Sequence, residues 1–262
     1  MAGLGLFGPN VDAFLLGSDQ VPLRHRLESV KIVPSKTEPQ HDPITYGDVT
    51  AQAVALPEIT TTRTRTFCMP VSTNSDTPDN PGQPTLWSAT VDALAVGATV
   101  VRDGAELRLL DAPDPTAARL FVVSAGNVDN YVKDHLAESD TSAIRDPGQA
   151  WNALTVGAHT ELTVAPSDPS YTGWSALASD GQLSPHSRTS LLFGTRPWPI
   201  KPDIVMEGGN VLHDAGSMFE TGHAALAFEI HLIALIGNEF FLPDGALKAC
   251  PDRANGRDNS PL

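Results

Sequence analysis

A short apolar run, Leu120 to Val123, is followed directly by the small residues Ser124, Ala125 and Gly126 and then by Asn127. An unbroken run rich in β-branched residues is typical of a strand covered on both faces, as in a parallel sheet. Ligands bind at the carboxyl ends of such strands, where an amide donor could face the developing negative charge of an oxyanion. Asn127 is therefore a candidate catalytic residue. The alternative is an ordinary strand-to-helix turn with Asn127 as the helix N-cap.

The segments before this run predict strands and helices in alternation. Strands are predicted over Leu27–Val33 and Thr66–Ser72, and helices over Thr85–Ala98 and over Tyr46–Leu56, where Pro57 would end the helix. Strands that alternate with helices are joined in parallel by right-handed crossovers. The sequence therefore predicts an α/β fold with a parallel sheet flanked by helices.

Several polar segments are expected at the surface. Gly104–Pro115 is predicted to be a polar connection, and Ser139–Gln149 and Pro166–Leu183 are predicted to be surface insertions. The histidines with polar neighbours are expected to be exposed to solvent. They are His25, His41, His135 and His186. Cys68 lies in an apolar strand pattern, which predicts a buried thiol.

Charge and composition limit the partners of this chain. The formal net charge is -14, which argues against nucleic acid and anionic membranes because both would repel the protein. The apolar run Ala224–Ile236 contains Glu229 and His231 and is too short to span a bilayer. No secretory signal pattern is found, so a cytoplasmic location is expected by default.

No cofactor and no metal site are expected. The two cysteines fit no metal motif and no zinc spacing occurs. Glu220 and His223 form one Glu-x-x-His pair, whereas a di-iron bundle needs two such pairs and further carboxylates.

Four segments, in order, resemble motifs of the subtilases, the subtilisin-like serine peptidases. Phe121–Asn127 is similar to the segment whose Asn donates to the oxyanion, and Trp151–Ala158 resembles the strand that follows it. Ser184–Ser190 resembles the S-x-x-S-x-x-G loop without its glycine, and Lys201–Gly208 resembles the KPDIxAPG segment with Met206 and Glu207 in place of Ala and Pro. The resemblance implies a subtilisin-like fold, serine endopeptidase activity, a peptide or protein substrate and an oxyanion role for Asn127.

The same resemblance implies that the fold is truncated at both ends. Met1 to Leu4 is similar to the tail of the catalytic histidine motif, so the histidine and aspartate of the triad would precede Met1. The serine motif Gly-Thr-Ser does not occur, and Gly216-Ser217-Met218 lacks its threonine, so Ser217 is not taken as the nucleophile. We therefore expect a partial peptidase domain over residues 1–227 and an unrecognised tail over 228–262, its end disordered.

Three functions remain open from the sequence. The chain is an inactive fragment of a serine endopeptidase, a pseudo-peptidase that binds peptides without cutting them, or an unrelated α/β domain whose Ser-Ala-Gly-Asn turn binds a small anion. The last is weakened because no phosphate loop or dinucleotide fingerprint is found. The sequence predicts no particular oligomeric state.

Overall fold

The computed structural model describes residues 28–35, 37–60, 63–73, 83–189, 200–216 and 219–220. The described helices are α1 (Tyr46–Thr60), α2 (Leu86–Ala95) and α3 (His135–Thr141). The described strands are β1 (Thr66–Met69), β2 (Val100–Asp103), β3 (Glu106–Leu109), β4 (Leu120–Ser124), β5 (Leu154–His159), β6 (Ser175–Ala176), β7 (Ile204–Glu207), β8 (Leu212–His213) and β9 (Phe219–Glu220). Short 3-10 turns cover Pro43–Thr45, Pro115–Ala117 and Pro169–Tyr171.

Four strands form a parallel sheet in the order β1-β4-β5-β7. In the register, Phe121 of β4 lies opposite Phe67 of β1, and Ser124 lies opposite Val156 of β5. β4 thus pairs on both sides and is an internal strand. Phe121, Val123 and Ser124 are buried, whereas Val122 is half-buried and Leu120 is exposed, so the predicted coverage of both faces is only partial. The predicted α/β fold with a parallel sheet flanked by helices is confirmed.

The main core lies between this sheet and the first two helices. Val91 and Leu94 of α2 pack with Val54 of α1 and with Phe121 and Val123 of β4, all of them buried. The side chains of Phe121 and Phe67 stack across the two strands with ring centroids 5.2 Å apart. Burial of this apolar area is the main stabilisation of the fold.

The two long helices were predicted nearly in place. α2 begins after Thr85, whose hydroxyl accepts a hydrogen bond from the backbone N–H of Trp87, as an N-cap does. α1 continues through Pro57 to Thr60, so the prediction that Pro57 ends it was wrong. Proline removes one backbone donor, but Glu58 in the same turn forms a bidentate ion pair with Arg119 at 2.7 and 2.8 Å, which ties this turn to the start of β4.

Two predictions outside the parallel sheet were also wrong. The segment Gly104–Pro115 contains β3, which pairs antiparallel with β2 as a hairpin around Gly104, where φ is 64°. The alternation of half-buried and exposed residues in β2 is the period-two pattern of such a strand. Residues 28–33, the described part of the strand predicted at Leu27–Val33, form no strand.

Burial corrects two further expectations. Ser139–Gln149 is not a surface insertion, because Ile144, Arg145, Asp146 and Gln149 are all buried. Cys68 is exposed rather than buried, since β1 has only β4 as a described neighbour and the Cys68 side chain points away from the core. Pro166–Leu183 is exposed over most of its length, as predicted.

A third sheet, antiparallel and of order β6-β8-β9, is attached to neighbouring segments by one buried amide. Asn210 accepts hydrogen bonds from the backbone N–H groups of Ala178 and Val211, at 3.0 and 2.9 Å, and donates to the carbonyls of Leu162 and Ala178 at 2.7 and 2.8 Å. Both side-chain atoms of this fully buried residue are thereby satisfied. Among the described helices, none is long and apolar enough to cross a membrane. The proposed tail over 228–262 lies outside the described residues.

Candidate functional site

Asn127 lies three residues after the end of β4, at the carboxyl edge of the parallel sheet. The backbone turns at Gly126, where φ is 85°, and Asn127 then pairs with Ser187 in an antiparallel bridge. No described helix begins at Asn127, since the next helix is α3, which is capped by Asp134. The alternative in which Asn127 is a helix N-cap was therefore wrong.

The side chain of Asn127 is only partly accessible. Its Oδ1 is buried and accepts no hydrogen bond, whereas the residue as a whole is half-buried. The accessible surface of the residue therefore belongs to its other atoms. The backbone carbonyl of Asn127 accepts a hydrogen bond from Nε of Arg188.

Gly126 is required at this turn for two reasons. A positive φ is costly for any residue with a Cβ. A Cβ at this position would also lie 2.8 Å from the Cβ of Arg145 and 3.0 Å from its Cγ and Cδ. The stem of Arg145 thus packs directly on the turn that leads to Asn127.

Two buried guanidinium groups meet one carboxylate beside this turn. Nη2 of Arg145 donates to both oxygens of Asp129, at 2.7 and 2.5 Å, and Nη2 of Arg188 donates to Oδ2 at 2.9 Å. The Arg145 and Arg188 side chains are 4% and 2% exposed, whereas that of Asp129 is 58% exposed. Buried charges must be paired, so Asp129 joins two arginines that would otherwise be costly to bury.

His186 is a second buried polar centre beside the turn. The Tyr131 hydroxyl lies 2.8 Å from Nδ1 of His186. Burial lowers the pKa of His186 to about 4 and, with the nearby charge of Asp129, raises the pKa of Tyr131 to about 12. Both groups are therefore neutral at pH 7, and the tyrosine keeps its proton to donate.

The expected exposure of the histidines was right for His41 and wrong for His135 and His186, which are both buried. Burial lowers the pKa of His135 as well. His25 lies outside the described residues.

Two serines near Asn127 add buried oxygens without a partner. Ser124 is the last residue of β4, and Ser72 lies three residues after the end of the neighbouring strand β1. Oγ of each is buried and has no hydrogen-bond partner, like Oδ1 of Asn127. Unsatisfied buried polar atoms are rare in folded proteins, so these two hydroxyls are unusual. Their burial could not be predicted from the sequence, which gave no sign of the loops that cover them.

Asp146 anchors the segment over this edge of the sheet. Its carboxylate accepts hydrogen bonds from the hydroxyls of Thr85 and Ser88 at the start of α2, and its carbonyl accepts one from the N–H of Thr73 at 2.9 Å. Burial raises the pKa of this carboxyl group. Asp146 thereby connects its segment to the residues that follow β1 and to the start of α2.

A serine–histidine hydrogen bond occurs elsewhere, in the small antiparallel sheet. Oγ of Ser175 lies 3.2 Å from Nε2 of His213, and Nδ1 of His213 lies 2.9 Å from the backbone carbonyl of Asp214. The carbonyl orients the ring where a triad would have a carboxylate. Ser217 lies outside the described residues, and within the described ranges no three His, Cys, Asp or Glu side chains are grouped to hold a metal ion.

A groove of about 530 Å³ lies at the opposite end of β4. It is lined by the ion pair of Glu58 and Arg119 and by small apolar residues of α1 and α2. Because Arg119 precedes β4 and Asn127 follows it, this groove is separate from the turn at Asn127.

We predict that Gly126→Ala destabilises the protein more than Gly173→Ala. The two glycines have nearly equal φ, 85° and 84°, but a Cβ at Gly173 would meet no atom within 4 Å. Gly173→Ala should cost about 1–2 kcal/mol for the left-handed backbone, and Gly126→Ala a further 1–3 kcal/mol, roughly, for the overlap with Arg145. Urea unfolding measures both; equal losses would show that the contact with Arg145 is easily relieved.

We also predict that His186 makes the fold sensitive to acid. Its pKa is lowered to about 4 in the native state from an ordinary value of 6.5, so the unfolded chain takes up the proton first as the pH falls. The free energy of unfolding should therefore decrease between pH 6.5 and 4, by up to about 1.4 kcal/mol per pH unit from this group. In His186→Gln this part of the slope should be absent.

The matched control is His41→Gln, which removes an exposed histidine and should keep the wild-type slope. Burial raises the pKa of Asp92 and Asp146, which changes the profile in the opposite direction in every variant. The difference between the two variants therefore isolates His186, and identical slopes would contradict a buried neutral imidazole.

The chain matches the model of a known protein family. The model of the subtilase family, peptidase S8, matches residues 1–231 of the 262. No curated protein and no solved structure matches the chain. The matched range contains every strand and helix described above, including β4 and the turn at Asn127. With a parallel sheet flanked by helices and a family match over most of its length, the chain belongs to the subtilase family and contains a subtilisin-like peptidase domain.

Proposed function

We propose that this domain provides the oxyanion-binding part of a serine peptidase site, with Asn127 as the side-chain donor. Peptides or proteins are the substrates that the family indicates. In the reaction, a serine attacks the carbonyl carbon of the peptide bond, and the carbonyl oxygen becomes negatively charged. A hydrogen-bond donor directed at that oxygen lowers the activation barrier. Asn127 would supply one such N–H through Nδ2.

The observation that carries this proposal is the environment of Asn127 at the end of an internal strand. Its backbone carbonyl is bound by Arg188, which fixes the main chain at this residue, and its Oδ1 is buried. A donor that is fixed before the reaction does not have to reorganise when the charge develops.

We further propose that the 262-residue polypeptide does not hydrolyse peptides by itself. No Gly-Thr-Ser occurs in its sequence, and the Ser175–His213 pair is oriented by a backbone carbonyl instead of a carboxylate. In subtilisin, a member of this family, loss of one oxyanion donor costs about 10²- to 10³-fold, whereas loss of the serine or histidine costs about 10⁶-fold. An oxyanion donor alone therefore leaves little activity.

A fluorophosphonate probe tests this second point, because it labels only activated serines. We expect no labelling of the purified chain above that of a heat-denatured sample. If labelling is found, Ser217→Ala and Ser175→Ala identify the serine. Loss of the label in either variant would contradict the proposed lack of activity and would assign the nucleophile.

The role of Asn127 is tested with ligands that need no catalysis. A peptide with a free C-terminal carboxylate is a cleavage product, and one of its oxygens occupies the position of the oxyanion. We expect a panel of N-acetyl tripeptide carboxylates to bind about tenfold more tightly than the same peptides as C-terminal amides, since a hydrogen bond to a charged group contributes about 1.5–3 kcal/mol. Titrations of ¹⁵N-labelled protein followed by NMR measure both constants.

In Asn127→Ala the preference for the carboxylate should be lost while binding of the amides is retained. The Asn127 side-chain resonances, assigned by their absence in this variant, should shift with the carboxylates only. Asn152→Ala serves as the control, because Asn152 is an exposed asparagine two residues before β5. Equal binding of carboxylates and amides by the wild type would contradict an oxyanion role for Asn127.

A further inference from the structure

Arg188 contacts three separate parts of the chain around Asn127. Its Nε donates to the backbone carbonyl of Asn127, its Nη1 to the carbonyl of Ala143 at 2.9 Å, and its Nη2 to Asp129 at 2.9 Å. The residue is among the largest fully buried side chains of the described protein. A buried arginine is costly unless its donors are satisfied, so these contacts must form together.

The segment that carries Arg188 also pairs with the backbone beside Asn127. Ser187 forms the antiparallel bridge with Asn127, and the N–H of Val128 donates to the carbonyl of His186 at 3.1 Å. Ser187 is in turn fixed to β5, because its Oγ accepts a hydrogen bond from the N–H of Ala158 at 3.0 Å. Residues 186–188 thus connect the turn at Asn127 to the next strand of the sheet.

The shape of the side chain matters as much as its charge. The guanidinium is planar and presents donors in fixed directions, so a single group can bind two carbonyls and a carboxylate at once. A lysine has the same charge but one nitrogen on a flexible stem, and it could not hold all three acceptors in this arrangement. Arg188 therefore fixes the peptide group of Asn127 relative to Ala143 and Asp129.

We propose that Arg188 is a positioning residue, which holds the backbone of Asn127 so that its side-chain amide faces the negatively charged oxygen of the substrate. This inference rests on the proposed oxyanion role of Asn127. Arg188 itself does not touch the substrate, since it is buried behind the turn. A displaced backbone at Asn127 would move the side-chain amide and weaken its hydrogen bond to the substrate oxygen. The rest of the peptide-binding surface would stay unchanged.

The test is the ratio of carboxylate to amide affinity in Arg188→Lys. We expect the preference of about tenfold for tripeptide carboxylates to fall to less than twofold, with amide affinities unchanged within a factor of two. The Asn127 side-chain resonances should also stop responding to the carboxylates. A residue with only a structural role would weaken both ligand series equally through partial unfolding.

Arg119→Lys is the matched control. Arg119 lies at the opposite end of β4 and also binds one carboxylate, that of Glu58, and one backbone carbonyl, that of Leu94. Its substitution should leave the ratio of affinities at the wild-type value. An Arg188→Lys protein that keeps the tenfold preference would overturn the inference while leaving the role of Asn127 intact.

Wild-type protein provides a measurement that does not depend on the variant folding. The Nε–H resonance of Arg188 reports on its hydrogen bond to Asn127, and it should shift with tripeptide carboxylates with the same dissociation constant as the Asn127 amide. If the tripeptide carboxylates shift the Asn127 side-chain resonances but not the Nε–H resonance of Arg188, the positioning role is overturned. If the wild type shows no preference for carboxylates, the oxyanion role and the positioning role are both overturned.

Discussion

The pairing of β4 on both of its edges is the constraint on which the rest of the site depends. Since β1 and β5 take up its backbone groups, the strand lies inside the sheet and its end is surrounded by protein. Any polar residue that follows such a strand must find a partner or face a ligand. In Asn127, the backbone carbonyl has a partner in Arg188, whereas the side-chain Oδ1 has none.

The loops around this edge are joined by ion pairs and by buried hydrogen bonds. Asp129 pairs with two arginines, His186 is hydrogen-bonded to Tyr131, and Asp146 binds the start of α2. Each contact joins residues that are distant in sequence. Together they give a rigid setting for short polar groups, which is what a site that stabilises developing charge requires.

The sequence was informative where the signal is local. The apolar run of β4 and the alternation of strands with helices predicted the parallel sheet correctly. The sequence failed where burial is decided by distant partners. Arg145 and Asp146 are charged residues in a segment with many polar residues, which suggested a surface insertion. Pairing with Asp129 and with the start of α2 allows them to be buried.

His186 was predicted to be exposed for the same reason, because no residue near it in the sequence indicates its hydrogen bond with Tyr131. Asn127 could be identified as a candidate because a strand signal and a motif coincide there. Arg188 could not, because a lone arginine in a polar loop is normally solvated. Its role depends on an acceptor 61 positions away, and no pattern within its own segment indicates that contact.

The amide of Asn210 has a consequence for the chemical ageing of the protein. Its two hydrogens are bound by the carbonyls of Leu162 and Ala178. Hydrolysis of this one amide to an acid would put a carboxylate opposite two oxygens that can only accept, and the contacts would become repulsive. The small antiparallel sheet would then lose its attachment to the segment before it, although no bond of the main chain had been cut.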